Sequence, residues 1–144
     1  MVNSSRRQGR EAALQALYLL DLCQLDVNDL PSAVWSDEPL APKTREFAEH
    51  LANGVVSRWA HIDKLISHYA KNWELKRMAA VDRCILRLAT GELLSDLDTP
   101  VNVIINEAVE IAKRYSTAES SKFVNGILDK IKEERSATDD KVVK

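Results

Sequence analysis

Apolar residues recur three and four positions apart along most of the 144-residue chain, the spacing that places them on one face of an α-helix. The first stripe predicts a helix from Ser5 to Leu25. A second apolar stripe starts at Thr44 and continues through 61–73, which predicts further helix there. The segment 26–43 contains three of the four prolines and predicts a short helix between loops. The alternation typical of strands is scarce, so the pattern predicts about seven helices and no sheet.

The second half of the chain carries the clearest helix signals. Residues 78–95 are apolar on two sides, which predicts a central helix packed on both faces. Thr99 is the predicted cap of the next helix, with Pro100 at its first position. The spacing of Ser116 and Glu119 is that of a capping box and predicts the start of the last helix.

Composition narrows the class of protein. The formal net charge of −2 leaves no chain-wide basic field, so a site for a polyanion has to be a local patch. The two cysteines, Cys23 and Cys84, fall in apolar helical patterns and are expected to be buried in a reducing compartment. With no signal peptide and no run of about 18 apolar residues, we expect a cytoplasmic domain over 1–135 and a frayed polar tail over 136–144.

Sequence motifs for catalysis are missing. His50, His61 and His68 do not show the spacing of a metal site, and no phosphate-binding loop, GxGxxG or GxSxG is present. We therefore expect no enzymatic activity, no metal and no cofactor.

Two features of the first and last helices suggest a binding site for a polyanion. Arg6, Arg7 and Arg10 crowd the first turns of the first helix, where the helix dipole disfavours cations by a few tenths of a kcal/mol each. They indicate either phosphate binding or a solvated terminus. Phe123 and Tyr18 lie at the edges of their apolar stripes, so each either widens the core or, beside basic residues, stacks on an unpaired base.

Three segments make a more specific comparison possible: "RRQGREAALQALY", "VDRCILRLATGELL" and "VNVIINEAVEIAKRYSTAESSKFVNGILDKI". In order and spacing they resemble the signature segments of the NusB family of bacterial transcription antitermination factors. The resemblance implies an all-helical fold of two small three-helix bundles that share a core. It also implies binding of boxA, a single-stranded RNA element of ribosomal RNA leaders, together with the ribosomal protein NusE. NusA, NusG and RNA polymerase would join in a larger complex, and a homodimer is a further option.

The resemblance also suggests roles for individual residues. It implies phosphate contacts for Arg6, Arg7 and Arg10, and positions facing NusE for Tyr18 and Asp82. The residues expected near the RNA bases lie at the start of the last helix: Glu119, Ser120, Lys122 and Phe123.

Two positions depart from the family pattern. Gly9 interrupts the basic run and lowers helix propensity by up to about 1 kcal/mol, which predicts a segment that is frayed without RNA. Glu119 stands where the family often has Asp, which puts a contact there in doubt. The alternative function is an all-helical protein-interaction adaptor that does not bind RNA.

Overall fold

The structure is a computed structural model that describes residues 5–23 and 40–135. These ranges form six α-helices and one short 3-10 turn, Leu75–Arg77. The helices are α1 (Ser5–Cys23), α2 (Pro42–Val56), α3 (Trp59–Tyr69), α4 (Ala80–Ser95), α5 (Val101–Tyr115) and α6 (Ala118–Ile131). Neither range contains a strand, which confirms the all-helical class. The helix predicted within 26–43 and the predicted tail over 136–144 lie mainly or wholly outside the described residues.

Helix α4 is the centre of the fold. It is buried without a break from Cys84 to Leu93, as its two apolar sides predicted. Helices α1 and α2 pack on α4 and on each other, and α5 and α6 do the same on another side. Helix α3 contacts both α4 and α6. The described helices therefore form two three-helix groups that share α4.

Polar residues at the helix starts differ from the predicted caps. Helix α2 begins at Pro42, two residues before Thr44, which is buried inside its first turn. Pro100 stands just before α5, and the Thr99 hydroxyl instead donates to Asp96 at 2.8 Å. At α6 the capping residue is Thr117, whose hydroxyl accepts from the backbone N–H of Ser120. The predicted caps Thr99 and Ser116 are each one position too early, and their hydroxyls bind the carboxylates of Asp96 and Asp82.

Two residues expected in the apolar interior are exposed. Cys23 lies on the surface at the end of α1, whereas Cys84 is buried as predicted. Burial raises the pKa of the Cys84 thiol to about 11, so this thiol stays protonated and unreactive at neutral pH. Tyr115 continues the spacing of Ile104, Ala108 and Ile111, which predicts a buried position, but it is also exposed, since α5 ends there and the chain turns towards α6. Among the described helices, none is long and apolar enough to cross a bilayer.

Glycines permit two close helix contacts. A Cβ atom at Gly91 of α4 would lie 2.8 Å from Cγ2 of Val55 on α2. A Cβ atom at Gly9 of α1 would lie 2.6 Å from the ring of Phe47 on α2. Helix α1 is continuous through Gly9, which is buried and serves close packing, and the fraying expected without RNA stays a prediction.

The charged residues of α4 bind neighbouring helices. Arg83 and Arg87 both hold Asp21 of α1, and Arg87 also binds Asp63 of α3 at 2.7 Å. Burial alone would raise the pKa of Asp21, but the two guanidinium groups outweigh it and lower this pKa. The carboxylate is therefore held charged between the two arginines.

Arg135 closes the other end of α4. Its buried guanidinium donates to the carbonyl oxygens of Leu93, at 2.8 Å, and of Asp96 and Thr99, each at 2.6 Å. These carbonyls belong to the last turn of α4 and the loop that follows, where the helix itself supplies no donor. One side chain thus fixes the connection from α4 to α5.

We predict that Gly91→Ala destabilises the protein although alanine is the better helix former. The added methyl group has to displace Val55, at a cost of about 1–3 kcal/mol that exceeds the gain in helix propensity of up to about 1 kcal/mol. Urea unfolding followed by circular dichroism measures the free energy of unfolding. A variant as stable as the parent would contradict the close contact between α2 and α4.

Candidate nucleic-acid interface

The three arginines at the start of α1 lie in different environments. Arg6 is exposed, and its guanidinium carbon lies 4.2 Å from the centroid of the Phe47 ring, a cation–π arrangement. Arg7 is partly buried and binds Glu107 of α5, with its Nε donating at 3.2 Å. This hydrogen bond raises the pKa of the Arg7 guanidinium. Both of these side chains border solvent.

Arg10 is buried, with only 4% of its surface exposed. Its Nε and one terminal nitrogen donate to the two carboxylate oxygens of Glu92 on α4, at 2.9 and 2.6 Å. Glu107 lies 3.5 Å from the other terminal nitrogen. The predicted phosphate contact does not fit this position, because the guanidinium is already occupied inside the fold. Arg10 instead joins α1 to α4.

The residues predicted near the RNA bases come together in one place. Glu119, Ser120, Lys122 and Phe123 line a groove of about 440 Å³ at the start of α6. Asp82 and Trp73 complete its wall, and we call it the α6 groove. The Phe123 and Trp73 rings meet edge to face, with their centroids 5.5 Å apart. Phe123 is partly buried against the core, so one ring serves both packing and the groove.

Trp73 was not among the residues predicted from the sequence. It is 55% exposed, in the polar stretch that follows α3. Its spacing after Ile66 and Tyr69 continues the apolar stripe, so the sequence pattern assigns it to the core, and only the end of the helix at Tyr69 shows that it is exposed.

A hydroxyl–carboxylate cluster holds the floor of the α6 groove. Ser116 Oγ lies 2.9 Å from one oxygen of Asp82, and Ser120 Oγ donates to the other at 2.8 Å. Asp82 is only 8% exposed, so its carboxylate is mainly committed to the start of α6. Tyr18, the other residue predicted to face NusE, is partly buried and packs against the core. The NusE contacts of both residues stay predictions.

The arginines and the α6 groove lie towards opposite ends of α4. Arg10 meets Glu92 near the end of this helix, whereas Asp82 lies in its first turn. Ten residues of α4 separate the two contacts, or roughly 15 Å along the helix axis.

Arg114 on α5 lies on the surface between these two regions. It binds Glu11 of α1 at 3.1 Å, its side chain is 54% exposed, and it precedes Ser116 by two residues. Sequence reasoning missed it because cations in the last turn of a helix are ordinary complements of the helix dipole.

The histidines form no site within the part of the chain that the structure describes. His50, His61 and His68 are exposed on α2 and α3. Residues 5–23 and 40–135 contain no group of three or more metal-ligating side chains.

Comparison with known proteins covers most of the chain. The model of the NusB family matches residues 7–133. The Transcription antitermination protein NusB of Syntrophotalea carbinolica is 48% identical to this chain, over 91% of this chain and 94% of that protein. The solved structure of T. maritima NusB superposes with a TM-score of 0.83 and 42% identity, over 92% of this chain and 94% of that one.

A further solved structure holds antitermination factors NusB and NusE in complex with double-stranded RNA. A chain of that structure superposes with a TM-score of 0.80 and 26% identity, over 90% of this chain and 97% of that one.

The positions of Arg10 and Arg6 predict a large loss of stability for one substitution and a small change for the other. Arg10→Ala leaves Glu92 buried without its principal partner and is expected to cost about 3–5 kcal/mol of unfolding free energy. Arg6→Ala removes an exposed cation and is expected to change that free energy by less than about 1 kcal/mol. Urea unfolding of both variants makes the comparison. Equal, small losses would show that Arg10 is not the buried connector described above.

Proposed function

This chain belongs to the NusB family, and we propose that it acts as a transcription antitermination protein that binds single-stranded boxA-type RNA of ribosomal RNA leaders. The observation that carries the proposal is the α6 groove, where an exposed Trp73 and a half-buried Phe123 stand beside Lys122. The role is one of binding rather than catalysis.

The aromatic pair suits an unpaired base. Stacking on an aromatic ring is worth about 1–3 kcal/mol per base and requires a base that is free of its own helix. Ser120 donates its hydroxyl proton to Asp82 and lies within hydrogen-bond distance of the Ser116 and Thr117 hydroxyls, so the acceptors at this wall are carboxylate oxygens, beginning with those of Asp82. Glu119 adds carboxylate oxygens at the same wall. Together these groups favour the amino and imino edges of bases over phosphates.

Phosphate contacts come from cations that border solvent. Arg6 and Arg7 lie at the start of α1, and Arg114 lies between them and the α6 groove. We propose that a strand that stacks on Phe123 runs past Arg114 towards Arg7 and then Arg6 at the start of α1. Arg10 is buried beneath this surface, and its ion pair with Glu92 holds α1 against α4.

We further propose NusE as the protein partner, since a solved relative is bound to NusE and RNA together. Asp82 and Tyr18 are the candidate contacts. A basic group of NusE that approaches Asp82 would compete with the hydroxyls of Ser116 and Ser120, which belong to the α6 groove. Assembly with NusA, NusG and RNA polymerase, and a homodimer that covers the RNA surface, complete the proposed scheme.

Fluorescence titration of a boxA-like RNA with the full chain tests this proposal. Phe123→Leu keeps an apolar side chain against the core but removes the ring, so we expect a five- to one-hundred-fold loss of affinity, the equivalent of about 1–3 kcal/mol. The melting temperature should change by only a few degrees, and Val103→Ala, an exposed position on α5, serves as the control. Unchanged RNA affinity in Phe123→Leu would contradict the role of the groove.

The same titration with NusE present tests the partner. Because coupling between two ligands is reciprocal, NusE should tighten RNA binding and RNA should tighten NusE binding by the same factor. A protein that binds NusE but shows no affinity for single-stranded RNA, nor for a duplex of the same sequence, would be the adaptor of the alternative hypothesis.

A further inference from the structure

A second groove lies on the other side of Phe123 and Trp73. It has a volume of about 280 Å³ and runs between the end of α3 and the outer face of α6. Its charged lining consists of Lys71, Lys122 and Lys130, with no carboxylate among the residues that line it. All three lysines are exposed, and no ion pair joins them to an acidic residue within 5–23 or 40–135. We call it the lysine groove.

The two grooves have opposite chemistry across one aromatic pair. The α6 groove contains the carboxylates of Asp82 and Glu119 against the one cation of Lys122, which lines both grooves, so its lining is net negative and disfavours a phosphate. The lysine groove contains three cations, which attract one. A single-stranded nucleic acid has this same division, with neutral bases on one side and charged phosphates on the other.

Gly126 gives an independent indication that a ligand approaches here. It lies inside α6, is exposed, and lines the lysine groove. A Cβ atom at this position would meet no atom within 4 Å, so no packing within the described chain requires glycine. Glycine lowers helix stability relative to alanine, and one purpose it serves in return is close approach of the backbone to a ligand.

Neighbouring acidic groups limit the path. Lys71 and Lys130 also line an adjoining depression that contains Asp129 and Glu133, and Asp129 binds Lys132 at 2.8 Å. The section of the lysine groove that contains no carboxylate therefore ends at Lys130, about two helix turns from Phe123 on α6.

Building on the proposed function, we propose that the lysine groove holds backbone phosphates of the single-stranded RNA beyond the base that stacks on Phe123. The strand crosses the pair of rings with a base on the acidic side and its phosphates on the basic side. Gly126 is glycine because the strand passes directly against the α6 backbone there.

The salt dependence of RNA binding tests the lysines. Each phosphate contact on a single strand contributes about 0.7 to the slope of log affinity against log salt concentration. Lys71→Gln with Lys130→Gln should therefore lower the slope by roughly 1.4 and weaken binding about tenfold. Lys64→Gln, which removes an exposed cation of α3 outside both grooves, is the matched control and should change neither quantity.

Gly126→Ala provides a test that a purely structural role cannot imitate. Alanine should raise the melting temperature, because it is the better helix former, and should weaken RNA binding severalfold, because its methyl group occupies the strand's path. Asn125→Ala, at the exposed neighbouring position, should change stability without loss of affinity.

The outcomes separate this inference from the proposed function. If the lysine and glycine variants bind RNA with the parent's slope and affinity while Phe123→Leu binds weakly, the lysine groove is not a phosphate site and the proposed function stands. If the parent protein binds no single-stranded RNA, both fail.

Discussion

Helix α4 carries charged residues although it is buried among the other helices, and each of these residues needs a partner inside the protein. Glu92 binds Arg10 of α1, Arg87 binds Asp21 of α1 and Asp63 of α3, and the start of α6 is held by Asp82. Removing one partner of such a pair leaves an uncompensated charge, which costs far more than the pair gains. A helix shifted along α4 by one turn would break these pairs, so they fix the register of the fold.

The candidate site follows from this register. Arg10 attaches the start of α1 near one end of α4, and Asp82 attaches the start of α6 near the other. The exposed cations and the aromatic pair therefore lie on separate elements at a fixed spacing. Arg114 bridges α5 to α1 at the surface between them. A flexible single strand suits such a surface, because its phosphates and bases can contact separated groups without a common pocket.

Local patterns in the sequence predict the helices but not their long-range partners. The apolar stripes and the two-sided helix α4 follow from periodicity, which is local information. The burial of Arg10 depends on Glu92, 82 residues away, so the sequence alone does not distinguish Arg10 from Arg6 and Arg7, which border solvent. From the sequence alone, Gly9 is expected to weaken helix α1, whereas the structure shows that Phe47 packs against it. The groove at α6 was predicted by family resemblance, whereas Trp73 and Arg114 required the fold.

RNA length gives the most direct test that the two ends of the surface bind one strand. Affinities of single-stranded RNAs of increasing length, centred on boxA, are measured for the parent protein and for Arg6→Ala. A shared surface predicts that affinity rises with length until the strand reaches α1, and that Arg6→Ala reduces the last part of this rise while leaving short RNAs unaffected. An Arg6→Ala variant that binds long and short RNAs as the parent does would contradict a continuous RNA surface.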